Sequence, residues 1–256
     1  MRYEIMGGLR VCDGEAVSVV SARKMETLLA VLLIRAGQVV TVSQFTAELW
    51  GDTPPRRATA ALHVYISQLR KFLDRPGRTE NPIATRSPGY LLRLGHDTLD
   101  VHEFQQLMTR GRAAMKRDRY EEASAVLDGA LALWRSPVLS ELRLGPIVNS
   151  FAAWAEEARL ECIEMRMDAD LALGSHRELV SELYSLTAEH PLREAFHRQL
   201  MLALYRSERQ SDALRAYANA RETLNDELGI EPGRVLRDLQ RSILLDDGRL
   251  DLARAS

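Results

Sequence analysis

Apolar residues in the first hundred positions change period several times, and each change predicts an element. Residues 3–6, 9–12 and 16–20 are short apolar runs separated by Gly7 and Gly8 and by Asp13 and Gly14. Runs of that length between turn residues predict three strands of a small antiparallel sheet. From Ser21, placed as an N-cap, Met25, Leu28, Leu29, Leu32 and Leu33 recur at helical spacing until Gly37. Residues 39–42 are brief and β-branched, and Ser43 is placed to cap a second helix through Trp50, stopped by Gly51. A rigid Asp-Thr-Pro-Pro turn leads into a third helix over residues 55–74, with Pro55 in its first turn. Residues 83–86, then Ser-Pro-Gly, then residues 90–94 predict a β-hairpin.

The third helix has two unlike faces. At about 100° per residue, Ala58, Leu62, Tyr65, Ile66, Leu69, Phe72 and Leu73 share an arc of roughly 120°. The opposite arc holds Arg56, Thr59, Ala60, His63, Val64, Ser67, Arg70 and Lys71, with Arg57 beside it, and no acid occurs from Arg56 to Lys71. A face meant only for water normally mixes both signs of charge. This one suits a major groove: Arg and Lys reach phosphates or guanine edges, His, Ser and Thr reach polar base edges, and Ala60 and Val64 suit thymine methyls. Sheet, three helices and hairpin in that order make a winged helix, whose second and third helices form the helix-turn-helix. Arg86 and Arg93 flank the wing and extend the candidate DNA-binding set.

Beyond a brief linker at 96–101, the pattern is almost continuous amphipathic helix: residues 100–118, 119–134, 151–173, 176–190, 193–207, 209–229 and 232–245. The junctions LGSHRELV and RSERQSDA lie 33 residues apart, counted from Val180 to Ala213, close to the tetratricopeptide period. A similar junction upstream, KRDRYEEA, is put out of phase by an irregular stretch over 134–150, with Pro137, Gly145 and Pro146. The fold expected is mainly α with a small antiparallel β component: a winged helix-turn-helix over 1–95, the linker, a tetratricopeptide-like all-α domain over 102–247, and a flexible tail over 248–256. Tyr120, Tyr184, Tyr205, Tyr217, Trp134 and Trp154 fall on apolar stripes and are expected between helices.

Charge sharpens this division. The chain of 256 residues has a net charge of −2, but residues 1–97 carry 13 Lys and Arg against 9 Asp and Glu, and the remainder 21 against 27. A basic head and an acidic body suit a nucleic-acid binder better than the total suggests. No apolar run reaches membrane-spanning length and no secretory h-region opens the chain, so a cytoplasmic protein without membrane association is expected. Cys12 and Cys162 read as buried free thiols.

Candidate chemistry is sparse. Six histidines occur without HExxH or other tight ligand spacing, and there is no P-loop pattern. Asp97, Asp100 and His102 cluster at the linker, where solvated capping explains them; exposed positions at a helix boundary explain Glu189, His190, Glu194 and His197. No catalytic site, metal site or cofactor is expected, and the chain reads as a non-enzyme.

The stretches ELWGDTPPRRATAALHVYISQLRKFLD and TRSPGYLLRL resemble the OmpR/PhoB-type winged helix of the Streptomyces antibiotic regulatory protein family. LDVHEF and LNDELGIEPGRVLRDLQRSIL resemble the bacterial transcriptional activation domain that follows it in the short members. The resemblance implies a transcriptional activator of antibiotic or secondary-metabolite biosynthesis that binds double-stranded promoter DNA. It further implies direct repeats near the −35 element, protomers in head-to-tail tandem or as a homodimer, and recruitment of RNA polymerase through its sigma factor and the C-terminal domain of its alpha subunit. Two other readings stand beside it: a helical-repeat adaptor whose winged helix binds protein, and control of the activator by a ligand of the helical body.

Overall fold

A computed structural model of the chain describes residues 1–76, 80–142 and 145–250. It divides into two compact units, Met1–Leu107 with Gly129–Leu160, and Met108–Asp128 with Glu161–Ser256.

The first unit opens on strands β1 (Arg2–Glu4), β2 (Arg10–Asp13) and β3 (Ala16–Ser18), paired antiparallel as the short apolar runs between turn residues predict. Helices α1 (Arg23–Ile34), α2 (Val42–Trp50) and α3 (Ala58–Phe72) follow, with strand β4 (Val40–Thr41) between the first two. The hairpin β5 (Ile83–Arg86) and β6 (Gly89–Leu92) joins β4 in a second sheet of order β4-β6-β5, with a cis Ser87–Pro88 bond at its turn. Gly89 is required where β6 crosses β4, because a Cβ there would meet the Val40 carbonyl oxygen at 1.9 Å.

Two caps differ from expectation. Ala22, not Ser21, occupies the N-cap of α1 and makes no side-chain cap. Thr41, not Ser43, caps α2: its hydroxyl accepts from Gln44 N at 3.2 Å and the Gln44 side chain accepts from Thr41 N at 2.9 Å. A reciprocal pair satisfies two orphan donors where Ser43 would satisfy one.

Around residues 96–101 the solvated-cap reading fails. Strand β7 (Thr98–Leu99) adds to the first sheet, parallel to β1, and helix α4 (Asp100–Met115) starts at once. Asp100 is fully buried, and its carboxylate accepts from Ile5 N and Met6 N at 2.9 Å, with the Arg135 guanidinium 3.5 Å away. Burial pushes its carboxyl above the usual range, while those N–H donors and Arg135 oppose the shift. Asp97 accepts from the Tyr3 hydroxyl at 3.3 Å.

Residues 129–160 pack with this unit. Arg135 N donates to Met6 O and Leu139 N to Gly7 O, and Trp134 stands edge-on to Phe104. Helix α5 (Tyr120–Leu131) precedes this stretch, and a 3-10 turn at Ser140–Leu142 leads to helix α6 (Pro146–Ala172), which begins earlier than the predicted residue 151. Glu48 of α2, 1 % exposed, accepts from Ile147 N and Val148 N at the start of α6. A buried carboxylate on orphan N-terminal amides answers both the amides and the helix dipole.

In the second unit α7 (His176–Glu189), α8 (Glu194–Arg206), α9 (Gln210–Leu228) and α10 (Arg234–Leu244) pack successively, with α10 against both α8 and α9. Ala213, Ala216 and Ala220 line the buried face of α9, small enough for close helix approach. At Gly111 in α4 an added Cβ would meet the Leu127 side chain at 2.6 Å, so glycine sets the approach there too. His197 is buried, not exposed as predicted, and bonds Pro191 O through Nε2 at 2.8 Å; burial pushes its pKa down. Tyr184 and Trp154, expected between helices, are exposed at 45 % and 39 %. Of the predicted tail, Gly248–Leu250 forms a 3-10 turn held by Arg206 Nε on Leu250 O; residues 251–256 lie outside the described residues.

Replacing Asp100 by Ala leaves two buried N–H groups unpaired at about 1–3 kcal/mol each. Chemical denaturation is expected to show the variant destabilised by roughly 3 kcal/mol.

Candidate nucleic-acid interface

Helix α3 is fixed by its inner stripe. Leu62, Ile66 and Leu69, with Leu73 just beyond the helix end, are each 1 % exposed or less, and the helix packs against α1 and α2. That burial turns the other face outward. Thr59, Ala60, His63, Val64, Ser67 and Lys71 are all exposed, and Val64 is 54 % exposed. Over 15 residues the helix is about 22 Å long, enough to lie along a major groove.

Arg56 and Arg57 stand differently from expectation. The helix begins at Ala58, with Arg57 as its N-cap residue and Ala58 N donating to Pro55 O. Both arginines are exposed in the turn ahead of the helix. There they flank amides whose partial positive charge favours an anion.

Charge on this surface is unanswered. Among the described residues the side chains of Arg56, Arg57, Lys71 and Arg86 make no hydrogen bond or ion pair. Elsewhere arginines are commonly matched: Arg112 with Glu161, Arg198 with Asp168, Arg221 with Glu231 and Arg166 with Asp170. Unpaired cations side by side repel one another, so they gain most from an external polyanion.

Arg70 is the exception on the helix. It is half-buried, its Nε donates to Ile83 O at 3.0 Å, its Nη2 donates to Thr85 Oγ1 at 2.8 Å, and its guanidinium lies 5.7 Å from the Tyr90 ring centroid. Tyr90 also meets His63 edge-on at 6.4 Å and Phe45 of α2 at 6.2 Å. The wing therefore rests on both helices of the helix-turn-helix through one aromatic ring. Arg86 ends β5 and pairs in register with Gly89, whereas Arg93 lies at the hairpin base, where it bonds Pro82 O through its backbone and reaches Glu80 at 3.4 Å. Arg93 thus stands apart from the unpaired set. Thr85, Tyr90 and Asn81 were missed by sequence reasoning, because only the fold brings them to Arg70.

Among the described residues no group of three His, Cys, Asp or Glu can hold a metal ion, and no helix is long and apolar enough to cross a membrane. Cys162 is buried, its thiol pushed up to about 12, and it donates to Leu127 O; Cys12 is half-buried rather than buried.

Two family models match the chain. "Transcriptional regulatory protein, C terminal" covers residues 18–92 and "Bacterial transcriptional activator domain" covers residues 99–244. The chain is 39 % identical over 236 residues to the regulatory protein DnrI of Streptomyces peucetius, covering 90 % of this chain and 87 % of that one. It is 41 % identical over 252 residues to the regulatory protein AfsR of Streptomyces coelicolor, covering 98 % of this chain but only 25 % of that protein. This chain thus spans about a quarter of AfsR's length. The solved structure of Mycobacterium tuberculosis EmbR in complex with a low affinity phosphopeptide superposes with a TM-score of 0.90 at 36 % identity, covering 96 % of this chain and 65 % of that chain. The chain belongs to the Streptomyces antibiotic regulatory protein family, with an OmpR/PhoB-type winged helix followed by a bacterial transcriptional activator domain.

Proposed function

We propose that the protein is a sequence-specific activator that lays α3 in the major groove of promoter DNA and sets its wing on the flanking backbone. The observation that carries this reading is the outward face of α3 with the turn ahead of it, acid-free and, among the described residues, without side-chain ion pairs at Arg56, Arg57 and Lys71. Those three residues and Arg86 anchor phosphates, while Thr59, Ala60, His63, Val64 and Ser67 face base edges. Arg93 contributes at most through the wing base, given its pairing with Glu80. Residues 1–95 serve DNA binding, and residues 102–247 contact the transcription machinery.

The finer reading follows the family resemblance. The protein binds direct repeats near a −35 element as head-to-tail protomers, recruits RNA polymerase through the sigma factor and the alpha subunit's C-terminal domain, and acts in the cytoplasm on a secondary-metabolite cluster. Footprinting on the promoters nearest its own gene tests this: two protected direct repeats support it, and no protection at physiological salt refutes it.

Lys71→Ala is expected to weaken binding to every sequence and lower the slope of log K against log salt by about 0.9, measured by fluorescence anisotropy across a salt series. Ser67→Ala is expected instead to relax preference at one base position by about 1–3 kcal/mol, leaving that slope unchanged.

A further inference from the structure

Arg70 lies on the basic face of α3 yet turns its fork onto the protein. Its two guanidinium bonds reach a main-chain carbonyl and a hydroxyl of β5, at Ile83 and Thr85. Its own carbonyl accepts from Asn81 Nδ2 at 2.9 Å, and Asn81 Oδ1 accepts from Ile83 N at 3.0 Å. Both ends of one residue thus grip the entry and middle of the same strand.

The hairpin needs such a grip. In the order β4-β6-β5, β5 is an edge strand, and the strand holding β6 on its other side is only two residues long. Short hairpins are marginal without further packing. The bonds come from α3 itself, so hairpin and recognition helix share one frame. Arg86, unpaired and next to Thr85, inherits its position from that frame.

We propose that Arg70 is a positioning residue that latches the wing to α3 and thereby places Arg86 for a backbone phosphate, and that Arg70 itself is no phosphate anchor. This rests on the DNA-binding reading above for its consequence, though not for the latch. Neither partner of the guanidinium is an anion, so the positive charge is not neutralised, and charge alone does not separate anchor from latch. Fork geometry does. Lysine keeps the charge but cannot make two divergent bonds from one plane.

The test uses the full chain as Arg70→Ala, Arg70→Lys and Thr85→Val, each with and without Arg86→Ala. Amide hydrogen exchange on free protein reads the latch. Arg70→Lys and Thr85→Val are expected to speed exchange in β5 and β6 roughly tenfold, with α1 and α2 unchanged. On promoter DNA, Arg86→Ala is expected to cost several-fold in affinity in the parent protein and less than about twofold in the Arg70→Lys background, the non-additivity of coupled groups. The proposal is overturned if Arg70→Lys keeps parental exchange and affinity, or if Arg70→Ala lowers the salt slope by about 0.9 with the Arg86 loss fully additive. Thr85→Val changes no charge and keeps the question answerable should Arg70→Ala fail to fold. If the parent protein binds no promoter DNA, the functional reading falls, while the exchange data still decide the latch.

Discussion

The burial of one stripe on α3 decides which face of that helix the protein turns to solvent. Leu62, Ile66, Leu69 and Leu73 are removed from water almost completely. At about 1.5–3 kcal/mol each, their burial contributes on the order of 6–12 kcal/mol as an upper estimate. Turning the helix by one position would expose part of that stripe and bury basic or polar groups instead. The outer face offers nothing of that magnitude: among the described residues the side chains of Arg56, Arg57 and Lys71 make no hydrogen bond or ion pair, and the two Arg70 bonds to β5 are worth about 0.5–1.5 kcal/mol each. The orientation of the basic face is therefore decided by the opposite face. The DNA-binding role proposed above depends on that orientation, in a chain that belongs to a family of transcriptional regulators.

Two buried carboxylates fix segments far apart in sequence. Asp100 ties the start of α4 to the amides after β1, and Glu48 ties α2 to the first turn of α6. Burial raises both pKa values, and backbone N–H donors oppose the rise. Each acts within the first unit, where residues 129–160 pack with the N-terminal hundred. The consequence is that α2, the first helix of the helix-turn-helix, is anchored from two sides: by the apolar core and by a polar cap on a helix nearly a hundred residues away.

Much of this was legible in the chain, for a physical reason. Periodicity reports burial, and burial sets the elements, so strands β1 to β3, the three helices, the wing and all four helices α7 to α10 fall where spacing predicts. Helix ends were less legible. Thr41 outcompetes Ser43 because Gln44 completes a reciprocal pair, and Arg56 and Arg57 drop out of α3 because Pro55 begins a turn and not the helix. Non-local polar contacts were invisible. Nothing near Asp100 in sequence announces Ile5 and Met6, so an aspartate before a helix reads as a solvated cap when it is a core residue. Arg70 reads as one more cation for the same reason: its partners at Ile83 and Thr85 are set by the folded hairpin. Tyr184 and Trp154 show the opposite error, since an apolar stripe at a helix's margin does not guarantee a neighbour.

Binding of DNA through the outer face of α3 alone can be tested with the chain's own lysines. Its three lysines are Lys24, Lys71 and Lys116, all exposed, and only Lys71 lies on the outer face of α3. Acetylation rates measured on the unmodified protein, free and saturated with a promoter fragment, report which of them DNA covers. Protection of Lys71, with Lys24 and Lys116 reacting at their free rates, is the expected result. Protection of Lys24 or Lys116 while Lys71 stays reactive would rule out α3 as the docking face.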